Sequence, residues 1–176
     1  RQSQNTNVNI IQLNPKRIED LALRRAILAS VDREQIAKAY FSQLGWTEPL
    51  PGSIIAMPFQ KGYQNNYAGD TGAQAAGKIL EAAGYSKSGD YYAKNGKVAG
   101  FALTSFGSEA VYQAVYQILE QQLKSAGIRL SADNQPQSNS NSVLGQKSYE
   151  AIFTGWGVLP DLASSAPYFF TTEVFG

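Results

Sequence analysis

Between Glu109 and Gly127 the apolar residues Val111, Val115, Ile118, Leu119, Leu123 and Ala126 recur at steps of four, three, one, four and three. That spacing is one face of an α-helix, so one side of this segment is expected to be buried. Ser108 stands at the N-cap position, Glu109 adds negative charge to the first turn, and Gly127 occupies the C′ position where a left-handed residue ends a helix. Ile128 to Ala132 then alternates with a period of two, which predicts a half-buried strand. The helix and strand form an αβ unit that needs a sheet to lie on.

The same reasoning places the other elements. Asn7 to Leu13 is rich in β-branched residues and reads as a strand ended by Asn14-Pro15. Asp20 caps a helix whose Leu23, Ala26, Ile27 and Val31 share a face, and Asp32 starts a second, Arg33 to Phe41, with Ile36, Ala37, Tyr40 and Phe41 inward. Asp70 or Thr71 is expected to begin a third helix, with Ala76, Ile79, Leu80 and Ala83 buried and Gly84 as its stop. Asn95-Gly96 suits a type I′ turn, because both residues tolerate positive φ, and predicts a hairpin between Tyr91–Ala93 and a strand from Val98 to Phe106. Phe101 and Leu103 fall on one face of that strand, Ala102 and Thr104 on the other.

Two stretches lack a pattern. Gly45 to Tyr67 combines Pro49, Pro51 and Pro58 with Trp46, Phe59, Tyr63 and Tyr67. A loop of this length in a compact domain is usually functional or mobile. Its aromatics either pack back onto the core or line a ligand pocket. Asp133 to Lys147 is dominated by Asn, Gln and Ser, so an exposed loop without fixed structure is expected and no chemistry is assigned to it. Tyr149 to Trp156, by contrast, is almost continuous in β-forming residues, as a central strand covered on both faces would be. It ends at Gly155-Trp156-Gly157, which sets a large ring at the rim of the sheet, where ligands of open α/β sheets bind.

Composition narrows the function. The 176 residues are within reach of a single domain, 1–176, with one core. Fifteen basic and fourteen acidic residues leave a net charge of +1, so no field draws in nucleic acid, which is not expected as a partner. No apolar run reaches the roughly 20 residues of a membrane span. Histidine and cysteine are both absent. Imidazole- or thiolate-based catalysis and the usual zinc sites are thereby excluded, and no catalytic, metal or cofactor site is expected. A carboxylate- or lysine-based enzyme rests on no motif and ranks last. An opening on Arg1 and an ending on Val174-Phe175-Gly176 point to a piece of something longer.

Several separated segments resemble one family in order. Leu13-Asn14, then Leu23-Arg24-Arg25-Ala26-Ile27 with Val31-Asp32-Arg33-Glu34-Gln35-Ile36, is similar to the opening signature of peptide/nickel-type (family 5) extracellular solute-binding proteins of ABC importers. The segments from Ala76 to Tyr85, from Gln121 to Ile128, and from Tyr149 to Ile152 up to Gly155-Trp156 resemble that family's later blocks. Most of these are packing signatures, in which Arg24 or Arg25 is expected to pair with a helix-end carboxylate. The resemblance implies an α/β (α+β) fold with a mixed β-sheet flanked by helices, one lobe of a periplasmic-binding-protein-like type II protein. This chain would be most of the C-terminal lobe, without its N-terminal partner lobe. It further implies an extracytoplasmic location, as a lipoprotein, a peptide-like or other small polar ligand, and an ABC permease as partner. Trp156, Gly157 and Asp161, with Trp46 and Tyr63, would face the ligand. In the family's peptide-binding branch an aspartate three positions after the Gly-Trp tryptophan holds the peptide ammonium; Leu159 stands there in this chain, and Asp161 lies two residues further on. A subgroup resembling actinobacterial lipoproteins of phosphatidylinositol mannoside metabolism would tolerate that change, and a non-transport scaffold or regulatory lipoprotein of the same fold is the alternative reading.

Overall fold

The computed structural model describes residues 7–41, 49–67, 69–107 and 110–158, apart from the side chains of Val111 and Trp156. Ser108, Glu109, Trp46, Leu159 and Asp161 lie outside the described residues. Among the described residues seven strands and five α-helices follow in chain order: β1 (Asn7–Leu13), α1 (Leu21–Ser30), α2 (Arg33–Tyr40), α3 (Ala73–Ala82), β2 (Ser86–Ser88), β3 (Tyr91–Lys94), β4 (Lys97–Val98), β5 (Gly100–Phe106), α4 (Ala110–Ser125), β6 (Arg129–Gln135), α5 (Ser140–Gly145) and β7 (Ala151–Gly157). The main sheet has the order β1-β7-β5-β6, and β2-β3-β4 form a second, smaller sheet. The main sheet is mixed: β5 runs parallel to β6 and β7, while β1 runs antiparallel to β7.

Local chemistry accounts for the helix ends. The Asp20 carboxylate accepts from the N–H groups of Ala22 and Leu23, and Asp32 accepts from Glu34 and Gln35, so both predicted caps are made. At the end of α3 the Gly84 N–H donates to the Glu81 carbonyl and the Tyr85 N–H to Leu80. At the end of α4 the Gly127 N–H donates to Lys124 and the Ile128 N–H to Leu123. Both are Schellman motifs, with the glycines at φ +85° and +72°. Asn95 and Gly96 both have positive φ, as the type I′ turn requires.

The core is one cluster in which Val115, Leu119 and Leu123 of α4 meet Phe101, Leu103, Leu130 and Ala151 of the sheet, and Leu23, Ala26, Ile27 and Leu80 extend it to α1 and α3. Asn14 is buried at the end of β1, where its Nδ2 donates to the carbonyls of Lys147 and Tyr149 while its Oδ1 accepts from the Lys16 N–H. The asparagine of the opening signature thus clamps the approach to β7. A second clamp ties α1 to the hairpin: Asp20 accepts from the Tyr85 hydroxyl at 3.0 Å and pairs with Lys94 at 3.5 Å. Burial, with the hydrogen bond to Asp20, pushes the Tyr85 hydroxyl up to about 12. Partial burial opposes ionisation of Asp20. The bonds from Tyr85, Leu23 and Ala22 and the Lys94 charge outweigh it, holding the carboxyl below its ordinary value.

Four expectations need correction. The strand expected from Val98 to Phe106 is broken at Ala99, whose N–H donates to Tyr92 in the small sheet while its carbonyl accepts from Arg129 in the large one. Helix α3 starts after Gly72 rather than at Asp70 or Thr71, because the Gly72 N–H donates to the Ala29 carbonyl and fixes the chain there. The segment from Asp133 to Lys147 is exposed over most of its residues but is not structureless: it completes β6, where Asp133 and Gln135 are half-buried, turns at Pro136 and forms α5, held by local backbone bonds. Among the described residues neither Arg24 nor Arg25 pairs with a carboxylate; the Arg24 guanidinium donates to the carbonyls of Ile18 and Glu19.

Candidate functional site

The topology locates a crevice before any side chain is considered. The chain leaves β5 through α4 for β6 on one side and later returns to β7 on the other. Strand order therefore reverses at β5, and ligands of open α/β sheets bind outside the carboxyl ends of the strands at such a switch point. That end of the sheet is formed by Phe106, Gln135 and Gly157, and Asn7 lies opposite Gly157 in the antiparallel pair. The Gly155-Trp156-Gly157 segment expected at the rim is there: Trp156 pairs with Val8, and Gly155 and Gly157 are exposed. Where β7 joins β5, the Glu150 carboxylate accepts from the Ala102 N–H at 2.6 Å, just before the paired residues Leu103 and Ala151. This bond takes up a strand N–H that the short β5–β7 ladder does not reach.

The two faces of the sheet differ below this rim. On the face shared with α2 and α4, Phe153 makes edge-to-face contacts with Tyr40 at 6.1 Å and Tyr112 at 5.6 Å, and Tyr40 meets Phe41 at 4.9 Å. All four rings are half-buried. On the other face, register brings Thr104 of β5 beside Asp133 of β6. The fully buried Thr104 donates its hydroxyl to Asp133 Oδ2 at 2.7 Å. Gln135 Nε2 donates to Asp133 Oδ1 at 2.6 Å, and Asn139 Nδ2 donates to Gln135 Oε1 at 3.2 Å. A chain of hydrogen bonds thus climbs from inside the sheet to the turn beyond its rim. An aromatic wall and a polar ladder flank the strand ends.

Among the expected contact residues, Gly157 is at the rim, Trp156 is there by its backbone, and Trp46 and Asp161 are not described. Tyr63 is half-buried, and its hydroxyl accepts from the Gly52 N–H at 2.9 Å. With the Asn66 N–H donating to the Gly52 carbonyl, it braces the loop between Pro51 and Tyr67. Arg33 secures the same loop, stacking 3.5 Å over Tyr67 and donating to the Pro51 carbonyl. Phe59 and Tyr67 do not pack back into the core: they are 46% and 38% exposed, and the loop is anchored through buried Ala56 and Met57. Thr104, Asp133, Gln135 and Asn139 were not singled out as site residues from the sequence. For Thr104, Asp133 and Gln135 the only sequence signal is a polar residue within a strand, and Asn139 lies in the polar turn after β6. A groove of about 360 Å³ beside β1 and α1 lies at the opposite end of the sheet, lined by Asn14, Leu21, Leu28 and Tyr149. It is remote from the switch point. No group of His, Cys, Asp or Glu capable of holding a metal occurs among the described residues.

The arrangement is similar to that of solved solute-binding proteins. The periplasmic EDTA-binding protein EppA matches with a TM-score of 0.83 at 22% identity, over 98% of this chain and 34% of that one. NikA from Brucella suis, in complex with Fe(III)-EDTA, matches at 0.69 and 19% identity over 97% and 35%. The oligopeptide-binding protein AppA from Bacillus subtilis, in complex with a nonapeptide, matches at 0.64 and 20% identity over 89% and 34%. The fold is thus of the periplasmic-binding-protein-like type II class, with a mixed sheet flanked by helices. Residues 1–175 match the model of the bacterial extracellular solute-binding proteins, family 5 Middle, and the chain belongs to that family. It spans about a third of the length of the solved structures it matches. Among curated proteins none matches.

Proposed function

We propose that this chain is a single domain forming most of the C-terminal lobe of a two-lobed extracytoplasmic protein that delivers a peptide-like or other small polar ligand to an ABC permease. The observation that carries this reading is the open switch point beyond β5 and β7, edged by Gly155 and Gly157, in a chain of the solute-binding family. Binding would depend on shape and on closure of the second lobe over the crevice, with exposed strand-end amides and carbonyls supplying hydrogen bonds. Trp156, Gly157 and Asp161, with Trp46 and Tyr63, are proposed as the contacts from this side. The reading assigns no catalytic step and no cofactor. No helix among the described residues is long and apolar enough to cross a membrane.

Native mass spectrometry of the full-length protein should reveal a co-purified small ligand. Trp156→Ala in that protein should weaken its binding tenfold or more while lowering the melting temperature little, because stacking on an aromatic ring contributes directly to affinity. Unchanged affinity together with a lost fold would assign Trp156 to the core and refute its place in the crevice.

A further inference from the structure

We propose that Asp133 selects ligands carrying an ammonium or guanidinium group. The proposal rests on the crevice reading above and names the ligand class for it. Asp133 lies two residues before the end of β6, half-buried, on the sheet face opposite the aromatic wall. Both of its oxygens are fixed, one by the Thr104 hydroxyl and the other by the Gln135 amide. These donors are neutral, so they orient the carboxylate without cancelling its charge. The ion pair between Lys94 and Asp20 is the only one among the described residues, so Asp133 has no cationic partner there. A carboxylate presents about four lone-pair directions, and two donors leave room for a further charged donor.

The surroundings strengthen the selection. Thr104 is fully buried, so its hydroxyl holds the carboxylate against a rigid strand rather than a loop. The Gln135 amide is itself steadied by Asn139. A preorganised carboxylate loses little freedom when a cation arrives, and a charge-assisted hydrogen bond is roughly twice as strong as a neutral one. The same charge repels an anionic group brought to this side of the crevice.

The test uses the full-length protein and two probes that differ by a single charge, the tripeptide Ala-Lys-Ala with its N-terminus formylated, so that the lysine carries its one ammonium group, and the same peptide acetylated on the lysine Nζ. By calorimetry the unmodified protein should bind Ala-Lys-Ala about tenfold or more tightly than the acetylated peptide. Asp133→Asn keeps an acceptor for Thr104 and should abolish the preference while binding the acetylated peptide as before. Thr104→Val keeps the charge but frees the carboxylate, and should reduce the preference without removing it. A preference that survives Asp133→Asn overturns the assignment of Asp133. Equal binding of the two peptides by the unmodified protein overturns the cationic ligand class while leaving the crevice intact. Failure to bind either peptide counts against the crevice as a site for peptide-like ligands, and with it the inference.

Discussion

Gly127 joins the longest helix to the strand that carries Asp133, and replacing it with alanine tests how rigidly that join is held. Its φ of +72° is left-handed, and an added Cβ would lie 2.8 Å from Tyr92 Cδ2 and 3.1 Å from Tyr92 Cε2. The ring cannot swing aside freely, because its hydroxyl donates to Glu81 at 2.7 Å and faces Gly77 of α3, whose own added Cβ would lie 2.9 Å from it. Left-handed backbone costs an L-residue roughly 1–2 kcal/mol, and overpacking adds about 1–3 kcal/mol. The loss should be about 2–5 kcal/mol, or a melting point lower by roughly 6–15 °C for a domain of this size. Gly84→Ala is the internal control. It has the same motif and a φ of +85°, but nothing lies within 4 Å of its added Cβ, so only the backbone cost applies. Thermal unfolding followed by circular dichroism measures both variants. If Gly127→Ala loses no more than Gly84→Ala, Tyr92 yields without resistance and the rigid-join argument is wrong.

Two further perturbations probe the clamps. Asn14→Ala removes a donor from the buried Tyr149 carbonyl and from the part-buried Lys147 carbonyl. At about 1–3 kcal/mol for a stranded buried group, chemical denaturation should show a loss of roughly 1–3 kcal/mol, and a loss confined to a few tenths would mean that the Tyr149 carbonyl finds another partner. The Asp20–Tyr85 clamp should shape both ends of the pH–stability curve. The folded pKa of Asp20 is lowered, so its contribution is complete above the ordinary carboxylate value near 4 and is lost as pH falls through the folded value. The folded pKa of Tyr85 is raised to about 12, so its contribution holds up to the unfolded value near 10 and is lost as pH rises towards 12. Asp20→Asn should flatten the acid limb and Tyr85→Phe the alkaline one, measured by melting point against pH; limbs that keep their slope would show that the clamp does not titrate with folding.

Features written in neighbouring residues were legible from the sequence. Asp20 and Asp32 cap helices, Gly84 and Gly127 end them, and Asn95-Gly96 turns a hairpin, because each outcome is set within five or six residues. What escaped was set across the chain. Nothing in the residues from Val98 to Phe106 marks a break, and only the bonds from Ala99 to Tyr92 and Arg129 divide the segment between two sheets. The start of α3 is moved by Ala29, more than forty residues earlier. The same distance hid the polar ladder, since Thr104 and Asp133 meet only through the parallel register of β5 and β6. The backbone of the Gly-Trp-Gly segment, by contrast, lies at a strand end as its sequence alone indicates, because glycines closing a run of β-forming residues are a local pattern.

The division at Ala99 has a practical use. The Asn95-Gly96 tip is exposed and lies beyond the amino end of β5, while the crevice lies beyond its carboxyl end. Ala99, bonded to both sheets, anchors the splice between them. A dye or affinity handle grafted at the tip would therefore be held as a fixed marker at the end of the sheet away from the switch point, leaving the carboxyl ends of the strands clear.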